Sequence, residues 1–343
     1  MNRTVLAIPA LLLTTLTLAA CGGSASTDDA PVEGAPVVVY SGRSEKLVAP
    51  LFAEFTAQTG IPVEVRYGDT AELAAQIIEE GDASPADLFF GQDAGALGAL
   101  DAAGLCAPLP AGAADAVPAR YRAESGNWTG ITGRSRVIAY DASRVSADEV
   151  PTSVVELTDP KWKGEVAIAP TNGSFQAFVT AMRVGLGDEA TKAWLQGMVD
   201  NEAQIFEKNS LIRDAVDAGQ VKLGLINHYY WYEKAAEVGE DAMNVQIAFT
   251  APGDPGSLVN VAGACILASS GNPGGAGEFV TWALTPEEQE WFVAQSWEYP
   301  LIEGVSAAPG LPPIASLQGP DVPLAELEDL PGSLAMLQEV GLT

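Results

Sequence analysis

The stretch Gly224-Leu-Ile-Asn-His-Tyr-Tyr-Trp-Tyr-Glu233 gathers three of the chain's eight tyrosines, one of its seven tryptophans and its only histidine. Phenol oxygens are hard donors, and a highly charged cation strips their protons far below the usual pKa of about 10. Tyr229 and Tyr230 are adjacent, so in an extended strand they would point to opposite faces. They serve one site only if the chain turns there or begins a helix. The plain alternative is an aromatic core patch, since buried aromatic clusters are common. Upstream, Val221–Ile226 reads as a short buried strand. Loops after strand C-termini are where α/β folds place ligand sites.

A second kind of chemistry sits at Pro170-Thr-Asn-Gly-Ser174, which opens a helix at Phe175. Small polar residues at a helix start leave backbone N–H groups facing outward, which is an anion site or an ordinary cap. Glu207-Lys-Asn-Ser-Leu211 makes another such start. Enzyme chemistry finds little support. A serine triad would have to be built on His228, and there is no Gly-x-Ser-x-Gly elbow. No Walker loop, no Gly-x-Gly-x-x-Gly after a strand and no Cys/His zinc spacing occurs. Acids such as Asp87 and Asp93 can be drawn into a glycosidase pair, but so can many in a chain this acidic. His228 reads as a hydrogen-bonding neighbour rather than a ligand or base.

The elements that must position these groups alternate. Pro36–Tyr40 and Ile61–Tyr67 read as strands, with a helix over Glu45–Thr59 between them that Pro50 should kink. Asp69 caps the next helix, which ends at Gly81. Leu88–Phe90 is a third strand, followed by the loop Gly91-Gln92-Asp93 and a helix to Ala103. This β-α-β-α-β-α order predicts a doubly wound sheet. Asn127–Tyr140 is one long extended run that can cross between domains. Strands are expected again at Val166–Ala169, Val245–Phe249 and Leu258–Leu267, one helix over Phe279–Gln295 and a last one near Leu334–Val340.

The 343 residues allow one large or two medium domains. Seventeen basic against 45 acidic residues give a net charge of -28, which argues against nucleic acid and anionic membrane surfaces as partners. Residues 1–20 are expected to be a signal peptide: Asn2-Arg3, an apolar run too short to span a bilayer, then Leu18-Ala-Ala-Cys21. That ending resembles the lipobox of bacterial lipoproteins, which implies a lipid on Cys21. Residues 21–35 are small, acidic and flexible in composition, as a tether should be. Cys106 and Cys265 then remain, and in an exported chain they suggest a disulfide, with two separate thiols as the alternative.

Several segments together resemble the ferric-ion-binding branch of the bacterial extracellular solute-binding proteins. They are Val39–Gly42, Gly81–Phe90, Gly133–Asp141, Pro160–Lys163, Ala169–Phe175, Lys208–Ser210 and Ile226–Trp231. The paired tyrosine after Asn227 is the most specific. The resemblance implies a type II periplasmic-binding-protein-like α/β fold: two doubly wound lobes, a hinge, and a ligand cleft between them. The expected lobes are residues 36–136 with 260–310, and 137–259 with 311–343. It implies that Tyr229 and Tyr230 bind Fe³⁺ as phenolates. It also implies that Asn172, Gly173, Ser174 and Asn209, helped by Arg136, hold a synergistic anion, carbonate or phosphate. Ser44 and Gln92 stand where one version of the family has His and Glu, so Tyr140 is expected as the third phenolate. The implied role is substrate binding for an ABC importer, not catalysis. The chain would be an exported monomer, lipid-anchored on the outer face of the cytoplasmic membrane, delivering iron to a permease there. Two other readings stand beside this: a same-fold binder of an organic cation or anion, and a lipid-anchored hydrolase centred on His228.

Overall fold

One strand organises the architecture. In the computed structural model, which describes residues 34–317, 319 and 322–343, the run Trp128–Asp141 is a single 14-residue strand. It belongs to two sheets in turn. Up to Ser135 it pairs with Val259–Leu267, and from Arg136 onward it pairs with Leu223–Asn227 and Val245–Ala248.

In chain order the strands are β1 (Val37–Ser41), β2 (Val63–Tyr67), β3 (Leu88–Gly91), β4 (Cys106–Ala107), β5 (Trp128–Asp141), β6 (Val166–Ile168), β7 (Gln204–Ile205), β8 (Leu223–Asn227), β9 (Val245–Ala248), β10 (Val259–Leu267) and β11 (Tyr299–Pro300). The α-helices are α1 (Glu45–Thr59), α2 (Thr70–Glu80), α3 (Ala94–Ala102), α4 (Gly173–Leu186), α5 (Asp188–Asp200), α6 (Asn209–Asp217), α7 (Tyr229–Val238), α8 (Pro273–Ala283), α9 (Pro286–Ser296) and α10 (Leu330–Glu339).

The sheet order is β2-β1-β3-β10-β5-β8-β6-β7, with β4, β9 and β11 paired off that path. β1 lies parallel to β2 and β3, and β6 lies parallel to β7 and β8, so each half carries the β-α-β winding the sequence predicts. β5 and β10 are antiparallel to their neighbours and carry the chain across. The local rules are visible at the ends. Asp69 and Asp93 cap α2 and α3 with their carboxylates, and Gly60 takes a left-handed conformation to end α1. The long helix expected over 279–295 is two helices, because Thr285 caps a new one at Pro286.

The first half has one continuous core, from Val37 and Phe55 to Phe279 and Tyr299. The second half has two, one on each face of its sheet. A disulfide joins Cys106 to Cys265 inside the first half. The expectation that the whole tail from residue 311 joins the second half is corrected. Leu317, Leu324 and Leu327 pack into the first core, and from Asp329, bonded to Arg183, and Ser333, bonded to Thr180, the tail joins the second half. Apolar side chains there follow the nearest unfilled core. The proposed signal peptide and the lipidated Cys21 lie outside the described residues. No helix among the described residues is long and apolar enough to cross a membrane.

Candidate metal centre

The condition that both tyrosines share a site is met by a helix start. His228 already has helical angles, and Tyr229 and Tyr230 are the first two residues of α7. Helical side chains lean toward the N-terminus, so both phenols reach back over the end of β8. Their rings stack with centroids 4.3 Å apart. Helix N–H groups face the same direction and favour negative charge there. Gly224 lets the neighbouring helix close on this strand, since a Cβ would lie 2.3 Å from Ile212 of α6.

Tyr229 is 5% exposed. Burial raises its pKa well above 10, and Tyr230 beside it adds to the effect; burial raises Tyr230 as well. Both are neutral phenols at pH 7. Only a strong cation would make phenolates of them.

Opposite them lies a charged cluster from the first half. Arg43 donates to Glu298 at 2.8 Å, and Thr132 donates to the same oxygen at 2.7 Å. Arg134 Nη1 stands 4.0 Å from the other Glu298 oxygen, beyond hydrogen-bond range. All these side chains are buried. Burial opposes the Glu298 charge, but Arg43 and Arg134 hold its carboxyl below the usual range. Arg134 is pulled down by burial and by Arg43, and Arg136 is pulled down to about 9 by burial and by Arg134. At neutral pH Arg136 therefore keeps its proton.

These cations are under-satisfied. All three guanidinium nitrogens of Arg134, Arg43 Nε, Arg136 Nη1 and the amide nitrogen of Asn227 are buried without a hydrogen-bond partner among the described residues. An orphaned buried donor costs about 1–3 kcal/mol, more when charged. A cluster of such donors is chemically suited to receive an anion.

The turn at the start of α4 is different: it is internally bonded. Asn172 Oδ1 accepts from the Ser174 N–H, the Ser174 hydroxyl and Asn209 Nδ2, the last at 3.1 Å. Arg136 Nη2 donates to Ser174 O at 2.5 Å and contacts Ser174 Oγ at 3.2 Å, with its guanidinium over the Phe175 and Phe178 rings. Asn172, Gly173, Ser174, Asn209 and Arg136 are thus brought together. Across from them, a Cβ on Gly173 would lie 3.4 Å from Asp93 Oδ2, so the loop after β3 closes on this turn.

Two expected neighbours are less central. Ser44 is exposed, and the buried residue of its loop is Arg43. Gln92 is half-buried, with its backbone N–H donating to Thr70 Oγ1 at 3.3 Å. The expectation that Tyr140 is a third phenolate is corrected. Tyr140 pairs with Leu223 at the start of β8, whereas Arg136 pairs with Asn227 at its end. Four residues of strand put Tyr140 about 13 Å along the sheet from the phenol pair.

Arg43, Arg134, Glu298 and Asp93 were not singled out from sequence as a group. The available signal was charge inside otherwise apolar, buried runs, as at Arg134 within β5. His228 is fully buried, and burial lowers its pKa to about 4. Its Nε2 meets the Trp297 carbonyl at 2.8 Å and its Nδ1 meets Ser135 N at 3.2 Å, so neither nitrogen is free to attack a substrate.

Known proteins share this arrangement of chain. The chain is similar to an Fe(3+)-binding periplasmic protein of Serratia marcescens, at 36% identity over 93% of each chain. Among solved structures it resembles iron-bound HitA of Pseudomonas aeruginosa, with a TM-score of 0.85 and 36% identity over 90% of this chain and 99% of that one. It also resembles the Trichodesmium protein IdiA, or FutA, in complex with iron and citrate. There the TM-score is 0.77 and the identity 27%, over 90% of this chain and all of the other. A family model for bacterial extracellular solute-binding proteins matches residues 50–314, and with these relatives it shows that the chain belongs to that family.

Proposed function

We propose that the chain captures ferric iron for an ABC importer, with Tyr229 and Tyr230 as phenolate ligands and a small anion seated on the arginines. One observation carries this reading: two stacked phenols at a helix N-terminus, Tyr229 buried and Tyr230 half-buried, share their site with buried guanidinium groups whose nitrogens are partly without partners among the described residues. Phenolates suit a hard trivalent cation. They would bring that cation beside three arginines balanced locally by Glu298, so a companion anion is needed to offset the charge. Arg134 and Asn227 offer it donors, and the Asn172–Ser174 turn with Asn209 and Arg136 supplies a pre-bonded wall. Carbonate, phosphate and citrate all have the oxygens required.

The two halves then act as lobes, 36–135 with 259–327 and 136–258 with 330–343, closing about the crossing strands. The names of the relatives support a periplasmic, iron-uptake setting. Anchoring through Cys21, monomeric action and delivery to a permease belong to the same proposal.

Iron binding would release one proton per phenol, so affinity should rise about 100-fold per pH unit below the phenol range. The test is to titrate apo-protein with ferric citrate, recording the visible phenolate-to-iron band and the protons released. A band with two protons released supports the reading; neither appearing overturns it. The same cluster favours a second reading, an anionic solute without iron, and disfavours an organic cation. Calorimetry with citrate or phosphate alone separates the two, since the second reading needs tight binding without metal.

A further inference from the structure

We infer that His228 is a positioning residue, a three-way joint that sets the phenol pair against the arginine cluster; this rests on the iron reading above. The ring is completely buried. Its Nε2 lies 2.8 Å from the Trp297 carbonyl oxygen, and a carbonyl only accepts, so Nε2 carries the proton. A neutral imidazole then has a lone pair on Nδ1, which accepts from the Ser135 N–H at 3.2 Å. The His228 backbone N–H donates to Ser135 O at 3.0 Å. The Trp297 contact assigns the proton to Nε2, Nδ1 lies between the Ser135 N–H at 3.2 Å and the Ser135 carbonyl at 3.3 Å, and no nitrogen is left for a metal.

The importance lies in what stands next to each contact. Ser135 separates Arg134 from Arg136, at the point where β5 passes from one sheet to the other. Trp297 precedes Glu298, which holds Arg43. His228 itself precedes Tyr229. One imidazole therefore links the backbones that carry the guanidinium pair, the carboxylate and the phenols. Trp297 also needs restraint. It is a non-glycine residue at φ 59, kept there while its indole stacks on Tyr232 of α7 with centroids 5.5 Å apart. The His228 ring is flanked by Tyr229, Tyr232 and Tyr299, so it cannot tilt without moving a phenol of the site.

The experiment compares wild type with His228→Gln and His228→Asn. The glutamine amide is long enough to donate to the Trp297 carbonyl; the asparagine amide is not. His228→Gln should keep the visible band and an affinity close to wild type. His228→Asn should shift the band and lose roughly tenfold or more in iron affinity, at an apo melting temperature similar to that of His228→Gln. Equal behaviour of the two variants, whether both unchanged or both impaired, would overturn the assignment. A readout independent of substitution uses the single histidine. ¹⁵N-histidine NMR of the wild-type apo-protein at pH 7 should show one neutral ring with its proton on Nε2, and a proton on Nδ1 overturns the joint even if neither variant folds. Wild type without any visible band would sink the iron reading alone, since the tautomer is measured without metal.

Discussion

The two halves of the molecule meet at one site with opposite kinds of chemistry. The first half brings the charged side chains Arg43, Arg134, Glu298 and Asp93, all buried. The second brings the neutral groups Tyr229, Tyr230, Asn172, Ser174 and Asn209, together with the buried Arg136. The second half's turn bonds Asn172, Ser174 and Asn209 to one another, while nitrogens of Arg43, Arg134, Arg136 and Asn227 are left without partners among the described residues. A satisfied frame is stable without ligand. An unsatisfied cluster stores a cost that a bound anion relieves. On the proposed reading, the second half would ligate the metal and the buried arginines would hold its companion anion.

The largest effects should come from the second half. Tyr229→Phe or Tyr230→Phe removes a donor and a charge at once. We expect iron affinity to fall by at least about 100-fold and the visible band to vanish or weaken strongly, by competition titration and spectroscopy. A full band in either variant would break the division of labour.

The joint between the halves gives the next effect. Burial keeps His228 neutral down to about pH 4, while an unfolded histidine titrates near 6.5. The unfolded chain therefore binds a proton that the folded chain refuses. Stability is full above pH 6.5 and falls as pH drops toward 4, by about 2 kcal/mol between pH 7 and 5. Asp93 and Glu233, raised by burial, work in the opposite direction at the acid end. Urea unfolding of the apo-protein should show this slope in wild type and not in His228→Gln; equal slopes would remove His228 as its source.

Arg134→Met sharpens the contrast because its two consequences have opposite signs. Replacing an orphaned buried cation by an apolar chain of similar length should stabilise the apo-protein by about 1–3 kcal/mol in thermal or urea unfolding. The dependence of iron binding on added carbonate or phosphate should weaken in the same variant. Loss of apo stability would show that Arg134 is already satisfied. The smallest effect belongs to Tyr140→Phe, which should leave the band and the affinity within about twofold of wild type, because its backbone pairs with Leu223 at the opposite end of β8 from Asn227.

Much of the second half's contribution was legible because it is local. The adjacent tyrosines, the Asn172–Ser174 turn and the Asn209 helix start each sit within a few residues, and helix-start chemistry is readable at that range. The first half's cluster was not, because Arg43, Arg134 and Glu298 come from three distant segments that meet only when β11 and β10 pair with β5. Tyr140 was misplaced for a directional reason. The rule that sites lie beyond strand C-termini holds for β6 and β8, which run parallel. β5 runs against them, so its C-terminal end points away from the site.

The position of Ser135 has a mechanical consequence. In a rotation, each group travels in proportion to its distance from the axis. Arg134 and Arg136 flank the crossing point of β5 by one residue each, about 3.3 Å of strand. If the proposed lobes turn about that crossing, the backbones of both arginines would sit on short lever arms. An open molecule would therefore keep its guanidinium pair nearly stationary and present an incoming anion with almost the same field as a closed one. The beacon would then be mounted on the axle, with the jaws swinging about it.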